Sequence, residues 1–106
     1  MAKFMIKASY TADGTRGLLK EGGSSRKATV EKLITGLGGS MEAFYYAFGE
    51  ADVFIICDLP DSSTAAAVSL AVNATGTVDL SMIPLLTVQE IDQACKKSVA
   101  YRAPGA

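Results

Sequence analysis

The chain has 106 residues, ten of them Lys or Arg and eleven Asp or Glu, for a net charge of −1, and it contains no histidine. Without imidazole, Ser-His-Asp and Cys-His catalysis, His-ligated haem and the usual catalytic zinc sites are excluded. No basic stripe is present to release phosphate counterions, so nucleic acid is not an expected partner.

Apolar residues make up 49% of the chain, more than one small domain readily hides, which points to self-association. Cys57 and Cys95 show neither a CxxC spacing nor a framework pattern. No stretch is long and apolar enough for a signal peptide or a membrane span, so a cytoplasmic protein without a membrane partner is expected.

Lys3 to Tyr10 alternates, with Phe4, Ile6 and Ala8 on one side and Lys3, Met5, Lys7 and Ser9 on the other, which predicts a strand. Thr11-Ala12-Asp13-Gly14 reads as a turn with Asp13 as a helix cap. A short helical piece from Arg16 to Lys20 is expected to break at Gly22-Gly23. A helix then resumes from a cap at Ser24 or Ser25. Val30, Leu33, Ile34 and Leu37 give it one apolar stripe, and Gly38-Gly39 stops it. Met41 to Phe48 and Val53 to Leu59 are the next strands, joined by the hairpin connection Gly49-Glu50-Ala51-Asp52.

Pro60-Asp61 caps a helix over 62–74 that turns Val68, Ala71 and Val72 inward and ends at Gly76. Thr77 to Leu86 gives a fourth strand, in which Pro84 marks an edge or a bulge. Thr87-Val88-Gln89-Glu90 is a capping box, and Leu86 with Ile91 has the spacing of a hydrophobic staple, so a last helix starts at Val88. Lys96-Lys97 suits its C-terminal dipole. A domain over 1–97 is thus followed by a tail over 98–106, which has no periodicity and is expected to lie against another surface.

This order is the ferredoxin-like α+β arrangement: a four-stranded antiparallel sheet with helices on one face, plus a C-terminal helix. A bare second face should alternate cleanly with polar residues. Val53-Phe54-Ile55-Ile56-Cys57 is instead continuously apolar, and Phe44-Tyr45-Tyr46-Ala47-Phe48 is nearly so. The expected cover is the same face of a second subunit, closing a dimeric α/β barrel.

Lys7 and Ser9 project onto the face away from the helices. A lysine there can hold a carboxylate or, if desolvated, act as a base or amine nucleophile; the structural alternative is a snorkelling side chain or an interface ion pair. Tyr10 and one of the adjacent pair Tyr45 and Tyr46, which point to opposite faces, are candidates for hydrogen-bonding a ligand or forming an aromatic wall, against simple packing. Alternation groups Tyr45 with Met41, Ala43 and Ala47, and Tyr46 with Glu42, Phe44 and Phe48, leaving open which set faces the interior. Gly22-Gly23-Ser24-Ser25-Arg26-Lys27 offers free N–H groups, hydroxyls and cations, making Arg26 a candidate anion contact, or it is only a helix break and cap. Asp52 is either a ligand contact or a turn cap. No paired carboxylates and no oxygen cage stand out, so neither a metal nor a cofactor is expected.

The run Phe48-Gly49-Glu50-Ala51-Asp52-Val53 resembles the GYD domain family. So do Ser9-Tyr10-Thr11, Gly17-Leu18-Leu19-Lys20-Glu21-Gly22-Gly23-Ser24 with Arg26, Pro60-Asp61, Asn73-Ala74-Thr75-Gly76 and Pro84-Leu85-Leu86-Thr87. In one departure, the tyrosine of the family's name is Ala51 here. The resemblance implies kinship with dimeric α/β-barrel proteins and carries no defined biochemical role. The chain is therefore expected to be a homo-oligomer that binds a small organic ligand at its dimer interior or serves as an assembly module. A cofactor-independent isomerase, decarboxylase or oxygenase acting on a small carbonyl or aromatic acid is the alternative, with Lys7, Ser9 and a tyrosine lining the pocket. A third reading is a purely structural oligomer.

Overall fold

In the computed structural model, which describes residues 1–106, alternation along the first strand sets the layers. That strand, β1 (Ala2–Tyr10), buries Phe4, Ile6 and Ala8 and leaves Lys3, Met5, Lys7 and Ser9 half-buried. Strand β3 (Val53–Leu59) repeats the rhythm by burying Val53, Ile55, Cys57 and Leu59. The register Phe4–Cys57, Ile6–Ile55 and Ala8–Val53 sets the two buried rows side by side. The outer strands β2 (Ser40–Tyr46) and β4 (Val78–Pro84) extend that face with Phe44 and with Val78, Leu80 and Met82. All neighbours run antiparallel in the order β2-β3-β1-β4, the expected ferredoxin-like sheet. Pro84 ends an edge strand, where its missing N–H is tolerated.

Two helices occupy the first crossover, divided at Gly22 as the Gly22-Gly23 break predicts. Thr11 and not Asp13 caps α1 (Ala12–Glu21), its hydroxyl accepting from the Gly14 N–H at 3.3 Å. Asp13 lies in the first turn, where a carboxylate suits the dipole, and pairs with Arg16. Helix α1 stops at Gly22, whose φ of +86° favours glycine. Helix α2 (Gly23–Gly36) follows at once with Gly22 as its cap, so Ser24 and Ser25 sit within the helix instead of heading it. The apolar stripe is narrower than its periodicity suggests: Ile34 is buried and Val30 half-buried, but Leu33 and Leu37 are 42% and 38% exposed. The helix lies over the β2 side of the sheet, and only one row of side chains meets it.

Helix α3 (Ser62–Asn73) packs over β4. Its cap is Asp61, whose carboxylate accepts from the Thr64 N–H at 2.8 Å; that bond pulls the Asp61 pKa below its usual value. Ala65 and Val68 are buried and Val72 is half-buried, while Ala71 is exposed. The inward row therefore runs i, i+3, i+7 through Ala65 and bypasses Ala71.

A bulge between Met41 and Ala43 breaks the alternation expected for β2. Met41 pairs with Cys57 and Ala43 with Ile56, so Met41 joins the helix-side face while Ala43 and Tyr45 face the other way. The strand also ends at Tyr46 rather than Phe48, which is 98% exposed in the hairpin loop. The loop closes through the Ala47 N–H, which donates to the Asp52 carbonyl at 2.8 Å.

After β4, the capping box forms as expected. The Thr87 hydroxyl accepts from the Glu90 N–H at 3.1 Å and the Glu90 carboxylate accepts from the Thr87 N–H at 3.0 Å, opening α4 (Val88–Cys95). Every residue from Leu86 to Ala106 is exposed, so the tail does not lie against its own protomer. This arm raises the radius of gyration to 16.9 Å, against roughly 13 Å for a compact chain of about this length.

Close packing of α1 has a measurable consequence. A Cβ added at Gly14 would collide with the Thr77 carbonyl, whereas one at Gly17 would meet open space. Gly14→Ala is expected to destabilise the fold by about 1–3 kcal/mol, and Gly17→Ala to stabilise it by up to about 1 kcal/mol. Urea unfolding should show the two midpoints moving in opposite directions.

Candidate functional site

The helix-side face of β1 ends at Tyr10, opposite Val78 of β4. Its position is held by Asp52, whose carboxylate accepts from the Tyr10 N–H at 2.8 Å while the Asp52 N–H donates to the Ala8 carbonyl at 2.8 Å. One acidic side chain thereby prolongs the β1–β3 ladder past its last backbone pair. Asp52 is a positioning residue rather than a free acid.

The break at Gly22 brings the start of α2 over this strand end. There the Tyr46 hydroxyl donates to the Gly23 carbonyl at 2.9 Å, and the Tyr46 ring comes so near Gly23 that an added Cβ would lie 3.1 Å from it. Burial raises the Tyr46 pKa, the neighbouring Tyr10 phenol raises it further and the Arg26 cation opposes both. At neutral pH this phenol is a hydrogen-bond donor. Arg26, in the first turn of α2, is half-buried and lies 3.5 Å from the Glu21 carboxylate. Tyr10, Tyr46 and Arg26 thus meet at one point of the fold.

Two cavities adjoin that point. A polar recess of about 280 Å³ lies between α1 and the strand ends, lined by Asp13, Gly14, Lys20, Glu21 and Thr77 among others. A slot of about 100 Å³ lies between the sheet and the helices α2 and α3, its walls including Ile6, Val30, Ile34, Phe44, Val72 and Leu80. Apart from Arg26 and Thr29, the slot is apolar. Tyr10, Arg26 and Val78 line both spaces. The arrangement offers a hydrophobic interior and a polar mouth, the usual make-up of a small-molecule site.

The other sequence candidates lie elsewhere. Lys7, Ser9 and Tyr45 are on the open face of the sheet, where Lys7 sits 3.6 Å from the Glu50 carboxylate and the Ser9 hydroxyl donates to the Glu50 carbonyl at 3.4 Å. Tyr45 is 71% exposed and opposite Phe54. Farther along this face Lys3 pairs with Glu42 at 2.6 Å and Asp58 at 3.3 Å; the Glu42 hydrogen bond is the main cause of its raised pKa. Of the six sequence candidates, only Tyr10 and Arg26 line the two cavities; Asp52 holds the Tyr10 backbone, and Lys7, Ser9 and Tyr45 lie on the opposite face. Tyr46, the alternative to Tyr45 in the sequence, is the tyrosine that joins Tyr10 and Arg26, whereas Lys20 and the slot itself escaped sequence reasoning. The signal for Tyr46 was that it shares its alternation row with Phe44, which packs against the core.

The family model of the GYD domain matches residues 4–95, a span that takes in all of the sheet but the first two residues of β1, and both cavities. The chain belongs to the GYD domain family. No curated protein and no solved structure matches it. In this GYD domain Ala51 is only 2% exposed, a closed position beneath the hairpin filled by a methyl group where the family's name has tyrosine.

Loss of the Asp52 acceptor isolates a half-buried N–H. Asp52→Ala is expected to cost about 1–3 kcal/mol, and Asp52→Asn, which keeps an acceptor oxygen, distinctly less. Chemical unfolding of both variants checks this order.

Proposed function

We propose that this GYD domain is a self-associating protein that binds a small organic ligand. The meeting of a polar recess and an apolar slot at Tyr10 and Arg26 is the observation that carries the reading. It moves the ligand from the interior between two sheets, where Lys7 and Ser9 face, to the helix side of each protomer. Two free thiols, one buried and one exposed, suit a reducing cytoplasm.

Self-association is supported by the open face. Met5 lies between Ile56 and Ile83, Ala43 is opposite Ile56, and Tyr45 is opposite Phe54, making one apolar strip across four strands. No helix covers it in the protomer. A second copy presenting the same strip buries both at once, with the isologous symmetry common to homodimers. The arm adds exposed Leu86, Val88, Ile91, Val99 and Tyr101 to the apolar area available for association.

Native mass spectrometry of protein purified from its own cells is expected to report a homo-oligomer retaining a small ligand. Single protomers without bound mass overturn the reading. Tyr45→Glu should weaken association at least about tenfold, because a carboxylate buried without a partner costs several kcal/mol. Light scattering across a dilution series measures that loss.

A further inference from the structure

We infer that the joined recess and slot accept an apolar monocarboxylic acid, its hydrocarbon end in the slot and its carboxylate on Arg26. The inference rests on the proposed ligand-binding reading and adds the chemical class of the ligand.

The slot decides the hydrocarbon end. Its volume is about 100 Å³, while an apolar cavity of about 150 Å³ holds benzene. A branched aliphatic group somewhat smaller than a phenyl ring is therefore the natural occupant. Tyr10 and Arg26 stand where the slot joins the recess, and the other hydroxyl in the wall, that of Thr29, already donates to the Ser25 carbonyl at 3.0 Å. A polar group pushed into the slot would shed its water without gaining a donor, and that is costly.

The mouth decides the head group. The carboxylates lining the recess are already engaged, Asp13 by Arg16 and Glu21 by Arg26. Lys20 lines the same recess and has no carboxylate within ion-pair distance. Lys20 is thus the one unpaired charge lining the recess. Arg26 is held by Glu21 at 3.5 Å, a loose single contact, and its forked donors are free to take a carboxylate in the two-pronged geometry that guanidinium favours. Tyr10, which also lines both spaces, supplies a phenol beside that point. An amine would meet the unpaired Lys20 with like charge, and a neutral head would leave that charge unused.

Isothermal titration of the full chain with isocaproate, isocaproamide and acetate tests the assignment. Isocaproate should bind once per protomer, and the amide at least about tenfold more weakly, since it lacks the charge-assisted pair. Acetate, with nothing to fill the slot, should give no measurable heat. Arg26→Gln should weaken isocaproate at least about tenfold and leave the amide unchanged. Val72→Phe fills the slot from α3 and should abolish binding; Leu33→Phe fills it from the more exposed wall and serves if the first variant does not fold. Equal binding of acid and amide, unaltered by Arg26→Gln, overturns the carboxylate assignment while the ligand pocket stands. Absence of binding by both acid and amide overturns the assignment and counts against the pocket as well.

Discussion

At the centre of the sheet, β1 and β3 set two apolar rows back to back, and helices cover only one of them. The covered row, from Phe4, Ile6 and Ala8 to Val53, Ile55 and Cys57, is the core of the domain. The other row carries Met5, Phe54 and Ile56, side chains whose burial is worth roughly 1.5–3 kcal/mol each when complete. A strand that is apolar on both faces is at home only in the middle of a layered structure. The protomer supplies one layer of cover. The strip across the four strands and the arm that leaves the domain after Leu85 are both left without cover in the protomer.

The same layering explains why a space lies beneath the helices. Helix α2 lies over β2 and α3 over β4, while the central strands contribute Ala8 and Val53, too small to fill the gap between them. Apolar walls left unpacked around a slot of about 100 Å³ forgo the contacts that a filled interior would make. A guest that fills it recovers part of that loss, so binding and folding are coupled through one void. Gly14 and Gly23 shape the mouth by having no side chain: the first lets α1 approach the Thr77 carbonyl, and the second makes room for the Tyr46 ring.

Features encoded by neighbouring residues were legible in the chain. The alternation of β1, the Asp61 cap, the edge proline and the Thr87–Glu90 capping box each involve residues within a few positions, and each is in place. Where one residue alters a period, the reading slipped. The bulge after Met41 moved Ala43 and Tyr45 to the opposite face from Met41, and a glycine at positive φ headed α2 with no hydroxyl at all. The site was less legible still. Tyr10, Arg26, Tyr46 and Val78 belong to four separate elements, and their meeting depends on the helix break at Gly22 and on the clamp of Asp52. No local period records such a convergence.

Helix α4 has only eight residues, too few for a helix to persist by itself in water. Its reciprocal cap settles where the first turn begins but supplies only about 1 kcal/mol towards keeping it wound. The amide protons of this short segment will therefore exchange at nearly the pace of an unstructured peptide while the arm hangs free, and slow once something shelters it. Eight backbone amides outside the core thus report whether anything covers the arm.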